Sequence, residues 1–255
     1  MEKIILNGCS FIEGHWSDYT STLSYHLTDL TGSRPINLGK AGGSNERIFR
    51  TTFNYFEAMK PQNSLVVIGL THWARFELYD DTTDFYFPMN FFSDDFESDI
   101  KNIIGRKEYQ YIDHELNLAA AEKKEFKKFF SNFTSEELRK AVLLYITVFK
   151  NYKAVLDDVL REVKLLKLLC DSTNNKLLVF NSLDCLHEPG LDYFFKVAGC
   201  HSWLDKILMD KQEHPDPVFK GHPNSESNLR VAKQILKKAS SVYKDLEKDW
   251  YEIRY

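Results

Sequence analysis

Lys3-Ile4-Ile5-Leu6-Asn7-Gly8-Cys9-Ser10-Phe11 is the stretch on which the fold turns: an apolar run that stops at Gly8 and delivers Ser10 into the turn beyond. β-Branched and long aliphatic residues over 3–7 predict a strand, and Gly8 ends it. A serine just past the carboxyl end of a strand stands where open α/β sheets gather ligands, so Ser10 is a candidate nucleophile. The competing reading is a turn serine that caps the next helix.

Further runs of the same kind follow. Pro35-Ile36-Asn37-Leu38 stops at Gly39, Ser64-Leu65-Val66-Val67-Ile68 stops at Gly69, and Lys176-Leu177-Leu178-Val179-Phe180-Asn181 comes much later. Helical stretches over 18–31 and 45–59 separate the early runs, a pattern that predicts a buried parallel sheet in an α/β chain. The last element reads as a helix over about 226–247, with Val231, Ile235, Val242 and Leu246 among its buried positions.

Thr134 and Glu137 are spaced as a capping box at the start of a longer helix. Leu138, Val142, Tyr145, Phe149, Tyr152, Leu156, Val159, Val163, Leu166 and Cys170 then recur in alternating four- and three-residue steps. Such a stripe predicts a face packed on the sheet. The same spacing is a heptad, so a paired helix in a homodimer is the other reading. Unbroken, roughly 36 residues would span roughly 54 Å, more than a compact domain needs.

Residues 78–133 fit neither pattern. Asp80-Asp81-Thr82-Thr83-Asp84 is turn-like, and Phe85-Tyr86-Phe87-Pro88-Met89-Asn90-Phe91-Phe92 is aromatic and reads as irregular around Pro88. The stretch is expected to be an insertion over the carboxyl edge of the sheet, as a lid or substrate wall, or to fill a secondary core.

The 255 residues are 43% hydrophobic and 27% charged, near globular averages, so a single domain over 1–255 with a sizeable core is expected. A net charge of -4 without a long Lys/Arg run does not indicate a dominant nucleic-acid footprint and leaves room only for a local basic patch. No window reaches the roughly 18 apolar residues of a membrane helix, and no signal-peptide core opens the chain, so a soluble cytoplasmic protein is expected. The four cysteines form no Cys-x-x-Cys pair and are expected to be reduced thiols. Cys185, His187, Cys200 and His201 match no common zinc spacing, and neither a metal nor a cofactor is expected.

A serine nucleophile requires a base for its proton and donors for the developing oxyanion. Asn37-Leu38-Gly39-Lys40-Ala41-Gly42-Gly43-Ser44-Asn45 follows the second strand, and its glycines let the backbone turn N–H groups towards a ligand. The plainer reading is a strand-to-helix loop with Ser44 or Asn45 as N-cap. His222, in Gly221-His222-Pro223-Asn224 before the last helix, is the natural base.

In this order the blocks resemble the SGNH (GDSL-like) hydrolase family, over residues 3 to about 75 and 176 to 240. The Gly-Cys-Ser-Phe opening is also similar to that of short phage-encoded proteins, and a viral origin is one expectation. The resemblance implies a flavodoxin-like, three-layer α/β/α sandwich. It implies that Ser10 is the nucleophile, that the Ser10 and Gly42 amides bind the oxyanion, and that His222 is the base.

The chain departs from that pattern in three places. Relatives end the third block in an asparagine that completes the oxyanion hole, whereas Val67-Ile68-Gly69-Leu70-Thr71-His72-Trp73 places Thr71 there. Relatives place an aspartate three residues before the histidine, a position held here by Phe219; Asp216, in His214-Pro215-Asp216-Pro217, or a backbone carbonyl is the candidate to orient His222. The first block reads Gly-Cys-Ser where relatives have Gly-Asp-Ser. Asn45, His72 and Arg75 lie on the same edge as candidate substrate-binding residues, with Arg75 suited to an anionic group. A salt bridge from Arg75 to Glu77 or Asp80 is the competing reading.

The resemblance implies an ester hydrolase acting on short acyl esters, such as O-acetyl groups, of a carbohydrate or lipid. The alternatives are a catalytically impaired protein of the same fold that binds a glycan or protein partner, and an interaction protein working through the helix at 134–170.

Overall fold

Successive residues of a strand point to opposite faces of its sheet, and the apolar runs of this chain are apolar at every position, so both faces need cover. In chain order the elements are β1 (Ile4–Asn7), α1 (Ser10–Glu13), α2 (Leu23–Thr31), β2 (Ile36–Asn37), α3 (Asn45–Met59), β3 (Leu65–Leu70), β4 (Arg75–Asp80), β5 (Phe85–Asn90), α4 (Tyr152–Ser172), β6 (Lys176–Asn181) and α5 (Ser225–Val242). The computed structural model describes residues 3–14, 18–73, 75–80, 85–90, 137, 144, 145, 148, 150, 152–182 and 222–242.

The main sheet has the order β2-β1-β3-β6, and every pairing in it is parallel. Ile5, Val66, Ile68, Leu70, Leu177 and Val179 face Ile48, Phe49 and Phe56 of α3 and Val159, Val163 and Leu166 of α4. The alternate residues Ile4, Leu6, Leu65, Val67, Leu178 and Phe180 face Ile12 of α1, Leu23 and Leu27 of α2, and Val231 and Ile235 of α5. The architecture is therefore the expected α/β/α sandwich. Each large side chain that reaches 0% exposure, such as Phe180 or Ile68, contributes roughly 1.5–3 kcal/mol.

Two expectations are corrected. Arg75–Asp80 and Phe85–Asn90 are regular, forming an antiparallel ribbon in which Pro88 stands opposite Glu77. A two-stranded ribbon leaves each strand one unpaired edge, where a residue without an N–H is tolerated. The remainder of the insertion lies outside the described residues. The helix read from Thr134 is not continuous: the Lys150 N–H donates to the Tyr145 carbonyl, five residues back, the chain bends there, and α4 starts at Tyr152. Wide-ring bonding of this kind interrupts α-helical geometry, and Lys150 is held at the bend by ion pairs to Glu46 and Asp158. Beyond the bend, Leu156, Val159, Val163, Leu166 and Cys170 of the predicted stripe are buried as expected.

Among the described residues no helix is long and apolar enough to cross a membrane. Cys185, His187, Cys200 and His201 lie outside the described residues, as does Asp216.

Candidate active site

In a sheet of order β2-β1-β3-β6 the chain passes from β1 to β2 on one side and then crosses to β3 on the other, so the strand order reverses between β1 and β3 and a crevice opens at their carboxyl ends. Ser10 emerges there. Its neighbour Gly8 has to lack a side chain, because a Cβ at Gly8 would stand 2.3 Å from Ile12 Cγ1. A Cβ at Gly69 would meet Ser182 Oγ at 2.3 Å and Ile12 at 3.0 Å. These two glycines, one just past β1 and one near the end of the adjacent β3, let α1 fold back over the sheet end with Ile12 as its anchor.

Asn7 fixes the end of β1 from beneath. Its carboxamide accepts from the Gly8 N–H at 2.9 Å and donates to the Ile48 carbonyl at 2.8 Å and to the Thr51 and Thr52 hydroxyls, each at 2.9 Å. The strand end is thereby tied to α3. Cys9, not Ser10, takes the N-cap position of α1 and makes no side-chain cap. The Ser10 hydroxyl is directed elsewhere: Ser10 Oγ lies 3.0 Å from His222 Nε2, with Ser10 only 6% exposed.

His222 is positioned from the start of α5. Asn224 Oδ1 caps that helix by accepting from the Ser227 N–H at 2.9 Å, the N-cap role for which asparagine is favoured. Asn228 Nδ2 donates to the Ser21 carbonyl at 2.8 Å, and His26 Nε2 lies 3.1 Å from Ser225 Oγ. The Phe11 ring meets the His222 imidazole edge-on, with centroids 5.2 Å apart and planes at 79°. Burial holds the His26 pKa below its usual value, against the opposing pull of Ser225 and Asp29.

The Gly-rich turn is seated on the Ser10 turn by three kinds of bond. The Lys40 N–H donates to the Gly8 carbonyl at 3.0 Å. Glu13 accepts from the Ala41 N–H at 2.5 Å and pairs with Lys40 at 3.3 Å. Asn37 accepts from the Gly39 N–H at 2.9 Å and donates to the Ile12 carbonyl at 2.7 Å. Gly42 is buried and takes the left-handed conformation, φ +73°. Among the described residues, neither the Ser10 N–H nor the Gly42 N–H has an acceptor, which leaves both amides available to a developing anion. Ser44, rather than Asn45, caps α3, accepting from the Arg47 N–H at 3.1 Å.

The third block is organised around Thr71, which is fully buried. Asn45 Nδ2 donates to the Thr71 carbonyl at 3.0 Å, and the Thr71 N–H donates to Asn45 Oδ1 at 2.8 Å. Arg75 Nη1 donates to Thr71 Oγ1 at 2.8 Å. Asn45 and Arg75 thus both bond to Thr71. Glu77 is gripped by Arg50 at 2.8 and 3.0 Å, with the Arg50 guanidinium 3.8 Å from the Tyr86 ring centre. Even so, burial raises the Glu77 pKa. His72 stacks on Trp73 at 5.8 Å, and burial, with the Arg75 charge second, lowers its pKa.

Sequence reasoning singled out Ser10, Gly42, Asn45, Thr71, His72, Arg75 and His222, and missed the framework of Asn7, Phe11 and Glu13. Asn7 carried a readable signal: a carboxamide at the last position of an otherwise apolar buried strand has to satisfy four hydrogen-bonding sites.

No protein-family model matches the chain, and no curated protein matches it. Among solved structures the chain is similar to a G-D-S-L family protein from Desulfitobacterium hafniense DCB-2, at 10% identity over 95% of this chain and 99% of that one, with a TM-score of 0.47. It is also similar to Axe2, an acetylxylan esterase from Geobacillus stearothermophilus, at 13% identity over 93% of each chain, with a TM-score of 0.41. At this level the likenesses bear on neither substrate nor mechanism.

Proposed function

We propose that the protein is a serine ester hydrolase with Ser10 as nucleophile and His222 as general base. The observation that carries this reading is the 3.0 Å contact between Ser10 Oγ and His222 Nε2 in a largely buried setting, within the reach proton transfer requires. Ser10 attacks the acyl carbonyl carbon and passes its proton to Nε2. The oxyanion is received by the Ser10 and Gly42 amides and the Thr71 hydroxyl. The C–O bond then breaks, and the alcohol leaves with the proton from Nε2. Water, deprotonated by the same nitrogen, attacks the acyl-enzyme and releases the acid and Ser10.

Asp216 is the candidate to orient His222. Short acyl esters of a carbohydrate or lipid are the proposed substrates, on the strength of the family resemblance. Turnover of p-nitrophenyl acetate, butyrate and octanoate by the wild type and Ser10→Ala tests the reading. Ser10-dependent turnover that falls with acyl length is expected, and activity that survives Ser10→Ala overturns it.

A further inference from the structure

We infer that Arg75 acts through Thr71, polarising the threonine hydroxyl into an oxyanion donor that stands in for a carboxamide; this rests on the esterase reading above. Thr71 is placed for the task by the sheet. Asn7 and Ile68 form the last paired rung between β1 and β3, and Ser10 and Thr71 each stand three residues further along.

The bonding around Thr71 leaves its proton available. A hydroxyl has one proton and two acceptor sites, and Thr71 Oγ1 accepts from Arg75 Nη1 at 2.8 Å. Among the described residues the hydroxyl donates to no protein group, although it is fully buried. A guanidinium does not give up its proton in proteins, so it stays a charged donor throughout a reaction cycle. Accepting from it strengthens the hydroxyl as a donor, since hydrogen bonds in series polarise one another where water is excluded.

Position is fixed from both sides. The Asn45 carboxamide holds the Thr71 backbone through its N–H and carbonyl, and a β-branched side chain has few χ1 choices. Asn45 is therefore a positioning residue. Arg75 is one as well, and its charge reaches the oxyanion through the Thr71 hydroxyl.

Steady-state kinetics on p-nitrophenyl acetate for Thr71→Val, Arg75→Gln and the double variant test the inference, with Thr71→Ser and Arg75→Lys as conservative controls. Loss of one oxyanion donor in Thr71→Val is expected to lower kcat roughly 100- to 1,000-fold. Arg75→Gln is expected to lower kcat roughly 10- to 100-fold, with KM nearly unchanged, and to add almost nothing in the Thr71→Val background. Thr71→Ser recovers most of the activity, and Arg75→Lys retains more than Arg75→Gln. Losses that multiply in the double variant, an Arg75→Gln effect confined to KM, or a Thr71→Ser enzyme as poor as Thr71→Val each overturn the inference while leaving the esterase reading intact. A folded wild type without Ser10-dependent turnover overturns both.

Discussion

Asn45 and Thr71 are joined by a pair of reciprocal hydrogen bonds, of 3.0 and 2.8 Å, that close the first residue of α3 onto the segment leaving β3. Both partners are buried. Asn45→Ala would leave the Thr71 N–H and carbonyl without protein partners, and each such buried group costs roughly 1–3 kcal/mol. Chemical denaturation should show a loss of about 2–4 kcal/mol on the same scale. A loss within about 0.5 kcal/mol, the size of an ordinary surface substitution, would show that the pair does not clamp this edge.

Gly42 separates catalytic from structural cost. Its φ of +73° is strained for any residue with a Cβ, by roughly 1–2 kcal/mol. Gly42→Ala should fold with a modestly lowered Tm while kcat drops about 100-fold, because the backbone relaxes by moving the N–H proposed to serve the oxyanion. A kcat unchanged by the substitution would remove Gly42 from the oxyanion site.

Phe11 holds the His222 ring from the side. Its edge contact with the His222 ring is worth roughly 0.5–1.5 kcal/mol in orientation. Phe11→Ala should lower kcat about tenfold, with KM little changed, and Phe11→Tyr should restore it. Phe11→Leu keeps the bulk without the ring edge, so a Phe11→Leu enzyme as active as the wild type would point to bulk packing instead.

Stability should depend on pH through His26. Its pKa is lowered in the folded state by burial, from the ordinary value of 6.5. The folded chain therefore holds fewer protons than the unfolded chain over the interval below 6.5. The stability tied to a neutral His26 is complete above that value and is lost as the pH falls through the lowered one. Denaturation midpoints between pH 7.5 and 5 should fall less steeply in His26→Gln than in the wild type. Parallel curves would show that His26 carries none of the acid sensitivity.

The parallel strands were legible because each is a short apolar run with a glycine or asparagine at or near its end, although β3 runs on through Gly69 to Leu70, and α3 was legible because Ile48, Phe49, Thr52 and Phe56 fall on one helical face. The β4–β5 ribbon was not legible: Phe85-Tyr86-Phe87 is aromatic at three successive positions and Pro88 follows, so neither alternation nor turn chemistry marked it. The break at Lys150 was hidden for a related reason, since the Lys150–Glu46 ion pair at the bend joins residues 104 positions apart, which helical spacing cannot display. Within the candidate site, the meeting of Ser10 and His222 was legible from block order. The roles of Asn45 and Arg75 were not, because both are decided by contact with Thr71, 26 and 4 residues away in sequence.

Activation of Ser10 by His222, as proposed, is read out by active-site labelling. A fluorophosphonate probe, followed by peptide mass spectrometry, should place the adduct on Ser10 in the wild type and slow at least 100-fold in His222→Ala, the scale of general-base assistance. A folded wild type that stays unlabelled, or labelling at equal rates with and without His222, would contradict the account.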